Sequence, residues 1–395
     1  MPMCRRRIAG CAAVVALAVG TGGVAPAAFA AGGGPSSVTA KATVPYGGVS
    51  GILRRLTTVD GAPGALAEVS DGHGGTTVLT SGVADVATGA PMADGSRFRI
   101  GSMTKMYVAT VVLQLVAEHT VVLDAPIERY LPGVVRGNGN DGRDITVRQL
   151  LQHTSGLPDY LDYLSLQTVL SQPLAHYSPL DLVKLALAHP PVFAPGTGWS
   201  YSNTDYVLAG LLIEAVTGHP YGEEIDRRVI EPLGLHDTSV PVDASAIPGP
   251  HPHGYAEPTA SDRIDVSEFN PSVAYASGAM ISSGADMNRF LGALLRGRLL
   301  PPAELRAMET TVPTGDASGS AYGLGLESDP LPCGGRFWGH DGGIPGFETM
   351  TGVTPDGRQA TVMVNLDPGG TAAQDTDVRT AVTTALCEHT SPARH

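Results

Sequence analysis

The chain has 395 residues, 43% of them hydrophobic and 16% charged, which is enough apolar surface for a core and too little charge for a disordered chain. At roughly 100–200 residues per domain it makes two or three compact units, and this excludes a peptide hormone or a bare binding motif. Acidic residues outnumber basic ones 38 to 25, a formal net charge of −13; such a chain is repelled by a phosphate backbone, so no nucleic-acid partner is expected.

Residues 1–30 are expected to be a secretory signal: Arg5, Arg6 and Arg7 give a basic end, an apolar run follows over 8–19, and Ala28-Phe29-Ala30 gives a small-x-small cleavage site. The apolar run falls short of the ~20 residues a bilayer needs, so a secreted protein without a stable membrane anchor is predicted. Cys4 and Cys11 lie in that segment. Cys333 and Cys387 remain as an even pair bound for an oxidising compartment, and a disulfide between them is expected. Residues 31–45, with Gly32, Gly33, Gly34, Pro35, Ser36 and Ser37, have the composition of a flexible linker.

The pattern then predicts a short helix over 49–56, strands over 76–82 and 98–101, and a long apolar helix over 102–118. From 125 to 270 only helical patterns appear, at 147–153, 180–189, 204–216 and 221–230, joined by Pro/Gly loops. Beyond it come helices over 285–295, opened by Ser283 and Asp286, and over 303–308. Short runs of β-formers follow at 322–326, 336–338, 347–353 and 360–365, the last two joined by a Pro355-Asp356-Gly357 turn, and a helix over 371–386 ends the chain. Strands at both ends with helices between predict one α/β (α+β) domain built from discontinuous halves, 46–124 and 271–390, interrupted by an all-helical subdomain over 125–270.

Chemistry concentrates in the 102–118 helix. Between Arg99 and Glu118 the only charged side chain is Lys105, set among apolar residues that leave hardly any polar face, so the helix is buried and its ammonium needs a partner or a lowered pKa. Ser102 lies three residues earlier, on the same helical face and at the amino-terminal end, where the dipole favours developing negative charge. Nucleophile and proton acceptor are then side by side. Taken alone, the pair also fits a capping serine followed by a solvated lysine. Two further motifs, Tyr201-Ser202-Asn203 after a Pro/Gly loop and His340-Asp341-Gly342 after a strand, complete an ordered series.

With S-x-x-K, Y-x-N and H-x-G in this order, the sequence resembles the penicillin-recognising serine hydrolases, in particular class C β-lactamases and secreted actinomycete D-alanyl-D-alanine carboxypeptidases. The stretch 98–160 is the most similar part, including Tyr130-Leu131-Pro132-Gly133, Ile145-Thr146-Val147-Arg148 and His153-Thr154-Ser155-Gly156-Leu157. The resemblance implies a β-lactamase/transpeptidase-like fold, an antiparallel sheet flanked by helices, and an acyl-enzyme on Ser102. It implies that Lys105 and Tyr201 share the proton transfers, and which of the two takes the serine proton stays open. It also implies that Asn203 positions the substrate amide, that His340 lines the opposite wall with Gly342 beside it, and that the N–H groups of Ser102 and Gly343 form an oxyanion hole. The segment His153–Gly156 is expected to close a helix beside the cleft.

The sequence departs from the carboxypeptidase pattern where specificity is set. His340-Asp341-Gly342-Gly343 stands in place of His-Thr-Gly-Thr, and the upstream position that carries a carboxylate-binding arginine is matched by Glu327. Arg336 is the candidate replacement cation. A D-alanyl-D-alanine carboxypeptidase-like activity is the first expectation, with a class C-like β-lactamase or an esterase or amidase of the same fold as alternatives. The ligands would be a small peptide, a β-lactam or an ester, with no cofactor or metal, acting on a monomer. A non-catalytic penicillin-binding or sensor module is the rival from another class. No serine has the G-x-S-x-G frame of an α/β-hydrolase, and of twelve histidines only His251 and His253 lie close together, without a zinc-peptidase spacing.

Overall fold

The computed structural model describes residues 46–259 and 262–388; the expected signal, with Cys4 and Cys11, and the expected linker lie outside the described residues. Its frame is a sheet whose strands are, in chain order, β1 (Gly64–Ser70), β2 (Thr76–Asp85), β3 (Ala90–Pro91), β4 (Val312–Pro313), β5 (Ala321–Tyr322), β6 (Glu327–Pro330), β7 (Arg336–Ile344), β8 (Phe347–Val353) and β9 (Gln359–Val364). These nine lie in the order β4-β5-β6-β7-β8-β9-β1-β2-β3. Every neighbouring pair is antiparallel. The β1–β9 pairing, with Ala65 opposite Val364, stitches the early strands to the late ones.

The principal helices are α1 (Gly47–Thr58), α2 (Thr104–Ala117), α3 (Val147–Gln152), α4 (Asn203–Thr217), α5 (Gly284–Leu295) and α6 (Gln374–Cys387). The strand period of two sorts side chains between the two faces of the sheet. On one face Ala65, Ala67, Val362 and Val364 pack with Val49 and Leu53 of α1 and Val378 and Val382 of α6. On the other, Leu66 and Met363 join a larger core with Phe290 of α5 and the apolar residues of α2. The helix α2 is buried nearly all round, as its lack of a polar face requires.

The structure departs from the sequence expectations in local, explicable ways. β1 was not foreseen, because a central strand covered on both faces shows no alternation of apolar and polar residues. Of the strand expected over 322–326 only Tyr322, the end of β5, is in a strand; the chain then turns, with Gly325 at φ +74°, before β6 begins at Glu327. Residues 97–99 do form a strand, but it pairs with Ile281–Ser283 in a separate two-stranded sheet. The middle stretch is not all helical: it also carries the ribbons Arg136–Gly137 with Asn140–Asp141 and Tyr255–Ala256 with Ile264–Asp265. Cys333 and Cys387 are joined by a disulfide. Among the described residues no helix is long and apolar enough to cross a membrane.

Candidate active site

Ser102 sits in a single 3-10 turn, Gly101–Met103, that leads directly into α2. The turn lies against β7 at van der Waals limits. A Cβ on Gly101, which has φ +51°, would stand 2.8 Å from Gly343 N, and one on Gly342 would stand 2.1 Å from the Ile100 carbonyl oxygen. Only glycine permits this approach, and it brings the backbone beside Ser102 against the backbone of Gly343.

In the first turn of α2, Lys105 is fully buried. Its Nζ lies 3.0 Å from Ser102 Oγ, and it donates to Asn203 Oδ1 at 2.8 Å and to the Ser277 carbonyl at 2.7 Å. Burial pushes its pKa down to about 7, against the carboxyl groups of Asp159, Asp341, Asp205 and Glu327 that face it. Asn203, at the start of α4, is held from its other side, where Nδ2 donates to Asp159 Oδ2 at 2.8 Å. That fixes which end of the amide meets the lysine.

Tyr201 completes the group. Lys105 Nζ lies 4.7 Å from the centroid of its ring, a cation–π distance when the amine is charged. The buried Tyr201 hydroxyl makes no hydrogen bond of good geometry, although Ser102 is near enough to favour its ionised form. Burial outweighs that and pushes the phenol well above its ordinary pKa of 10.

His340 is fully buried. Its Nδ1 lies 2.6 Å from the Asp341 carbonyl and its Nε2 2.9 Å from the Tyr322 hydroxyl. A carbonyl only accepts, so Nδ1 carries the proton and Nε2 accepts from Tyr322. Burial holds the imidazole neutral, with a pKa lowered to about 4. The sequence reading of His340 as a substrate-facing wall is therefore corrected, since both nitrogens are taken by protein partners. Glu327, opposite Gly339 on the neighbouring strand, brings a carboxylate within 4.8 Å of ligand atoms of His340 and Asp341. The engaged imidazole leaves that trio without a free nitrogen for a metal.

Arg336, the candidate replacement cation, is not at the site. It donates to Ser328 Oγ at 2.9 Å and to the Gly319 carbonyl at 3.1 Å, at the far end of β7. Arg379 of α6 does face Glu327 and Asp341, but its guanidinium is bound to Asp329 Oδ2 at 2.6 Å.

Of the residues singled out in the sequence, Ser102, Lys105, Tyr201 and Asn203 come together, and Gly342 and Gly343 flank them. His340 stands behind. Sequence reasoning missed Asp159, Tyr322 and the Ser277 carbonyl. Asp159 was within reach, as a carboxylate just past the His153–Leu157 segment. A backbone acceptor such as Ser277 leaves no residue signature.

Comparison with known proteins agrees with this arrangement. The Beta-lactamase family profile matches residues 49–384. Among solved structures the chain is similar to a D-stereospecific amidohydrolase from Streptomyces sp., at 43% identity and a TM-score of 0.78 over 85% of this chain and 98% of that one. A D-amino acid amidase from Ochrobactrum anthropi SV3 is 30% identical, with a TM-score of 0.74 over 86% of this chain and 96% of the other. Esterase EstB of Burkholderia gladioli is 35% identical across 52% of this chain and 57% of its own length. The chain thus spans less than two thirds of the length of the first curated relatives it matches.

Proposed function

The chain belongs to the beta-lactamase family of serine hydrolases, and on that premise we propose that it is an exported acyl hydrolase that cleaves amides or esters of D-amino acids through an acyl-enzyme on Ser102. The observation that carries the reading is the arrangement of three partners around Lys105 Nζ. A neutral amine has two N–H bonds and one lone pair. Asn203 Oδ1 and the Ser277 carbonyl accept without donating, so they take both N–H bonds and the lone pair is left for Ser102 Oγ. A lysine with a pKa near 7 is neutral often enough at physiological pH to be that base. The phenol of Tyr201, which burial keeps protonated, is the acid of the pair.

In the first step Ser102 Oγ bonds to the carbonyl carbon as its proton passes to Lys105 Nζ. The oxyanion is received by the N–H groups of Ser102 and Gly343, where each donor is worth about 3–4 kcal/mol in comparable sites. The C–N or C–O bond then breaks as the leaving group takes a proton from Tyr201, which Lys105 reprotonates. Water, activated by the same amine, releases the acid in the second step.

The substrate class follows from charge. Glu327 and Asp341 stand at the third motif, while Arg336 lies away from it on Ser328 and the guanidinium of Arg379 is bound to Asp329. A free terminal carboxylate, as on a D-Ala-D-Ala peptide, is disfavoured there, and an α-ammonium is favoured. The amidohydrolase and amidase among the similar structures support the same choice.

Ammonia release from D-phenylalanine amide, D-Ala release from a diacyl-D-Ala-D-Ala peptide and p-nitrophenyl acetate turnover, measured side by side, test the proposal. The amide and the ester should be cleaved, the peptide poorly, and Ser102→Ala should abolish all three. Faster D-Ala release than amide cleavage would move the reading to a carboxypeptidase, and an active Ser102→Ala variant would end it.

A further inference from the structure

Directly behind Tyr201 lies a second pair of titratable groups that the proposed reaction does not use. His153 ends α3 with φ +59°, and Asp205 lies on α4, two residues past Asn203. Neither side chain is exposed at all. The imidazole packs against the Tyr201 ring with centroids 4.4 Å apart. Its Nδ1 lies 3.1 Å from Asp205 Oδ2 and 3.3 Å from the Ser202 backbone nitrogen. Asp205 Oδ1 accepts from the Ser155 hydroxyl at 2.6 Å.

The Ser202 contact selects one arrangement of protons. The Ser202 N–H can only donate, so Nδ1 meets it with a lone pair. An ionised Asp205 would then place a second acceptor against that lone pair, with no proton between them. The conflict disappears if Oδ2 carries the proton and donates it to Nδ1, whose single lone pair it then shares with the longer Ser202 contact; the ring's own proton is left on Nε2, a buried nitrogen without a hydrogen-bond partner among the described residues. Among the described residues no cation is hydrogen-bonded to the carboxyl group to keep it ionised, since the three bonds of Lys105 Nζ go to Ser102, Asn203 and Ser277, and an uncompensated charge in such a place is costly. Burial acts in the same direction on both groups, pushing Asp205 up and His153 down. The titratable groups facing the pair are Lys105 of α2, Asp159 beyond α3, Tyr201 just before α4, Tyr206 of α4, Tyr322 of β5 and His340 of β7.

We propose that Asp205 is a neutral carboxylic acid hydrogen-bonded to His153, and that this uncharged pair positions Tyr201 and Asn203 against Lys105. The proposal rests on the reading of Ser102 and Lys105 as nucleophile and base. His153 acts on the phenol through ring packing and on the Tyr201–Asn203 segment through the Ser202 amide. A charge of either sign at this place would shift the proton affinity of Lys105; a neutral pair holds the geometry without doing so.

The test is the pH profile of p-nitrophenyl acetate hydrolysis by the full chain and by Ser102→Ala, Asp205→Asn, Asp205→Ala and His153→Ala variants. Asparagine supplies the same donor to Nδ1 and the same acceptor for Ser155. Asp205→Asn should therefore keep kcat within about threefold of the parent and leave the acid limb where it is, because no charge has been lost. Asp205→Ala and His153→Ala should lower kcat by about tenfold or more with little change in KM, as expected when a proton-transfer group is displaced. Two results would overturn the proposal: a downward shift of the acid limb in Asp205→Asn, which would mean that an anion had been supporting the ammonium of Lys105, or parental kcat in both alanine variants. If an alanine variant does not fold, the Asp205→Asn profile decides alone. An active Ser102→Ala would instead strike at the hydrolase reading and leave the His153–Asp205 geometry untouched.

Discussion

Lys105 is a base only because its surroundings make the ammonium expensive. It is fully buried, its nearest partners are neutral oxygens, and desolvation outweighs the carboxyl groups around it, which leaves its pKa at about 7 instead of 10.5. The sign of the pH effect follows. The amine works when it has lost its proton, so kcat/KM for amide or ester should rise with pH, levelling above about 7, and fall about tenfold per pH unit well below that. A profile flat from pH 5 to 9 would mean that another group accepts the serine proton. Lys105→Met separates chemistry from folding at the same residue. Methionine fills a similar volume without a charge to bury, so the thermal midpoint should hold or rise, whereas kcat/KM should drop by about 10²–10⁴. Calorimetry and steady-state rates on the one variant decide it.

Among the secondary elements, α4 does most to assemble the site: it begins with Asn203, carries Asp205, and packs against the turn that supplies the Ser277 carbonyl. That last contact depends on Gly210. A Cβ there would stand 2.4 Å from Ala276 Cβ and 2.8 Å from Tyr275 Cε1, and Tyr275 is itself in the left-handed region at φ +44°. Replacing a mid-helix glycine by alanine ordinarily stabilises by roughly 0.5–1 kcal/mol. Here Gly210→Ala should lower the thermal midpoint and, by pushing Ser277 off Lys105, reduce kcat by about tenfold; a raised midpoint with parental kcat would refute the coupling. This dependence marks how far the sequence could be read. The lone lysine in an apolar helix, the serine one turn before it and the Tyr-x-Asn motif were legible because each is a residue type out of place for mere packing. The Ser277 acceptor was not, because a carbonyl is common to every residue. The role of His340 was misjudged for a related reason: a motif gives the residue's position, but whether its nitrogens face a cleft or the Tyr322 hydroxyl depends on how β5 and β7 are set in register through β6, which lies between them. Strand β1, whose alternation is hidden by burial on both faces, was lost in the same way.

At the scale of the whole molecule, the site depends on a sheet assembled from both ends of the chain. β1 pairs with β9, and α1 and α6 cover the same face, so the strand that presents Gly342 and Gly343 to Ser102 is held by elements distant in sequence. The Cys333–Cys387 disulfide adds a covalent tie across a separation of 54 residues, anchoring the end of α6 to the turn just ahead of β7. In the loop-entropy account a closure of this length stabilises by about 4 kcal/mol. The site itself does not rest on the tie, because β7 remains paired with β6 on one side and with β8 on the other. A Cys333→Ser/Cys387→Ser variant should therefore unfold at a lower guanidinium concentration, by an amount equivalent to about 2–5 kcal/mol. Its single-turnover acylation rate at 25 °C should match the parent's. An unchanged midpoint would mean that the denatured chain gains little freedom when the bond is lost, and a slowed acylation would mean that the bond sets the position of β7 and not only the stability of the fold.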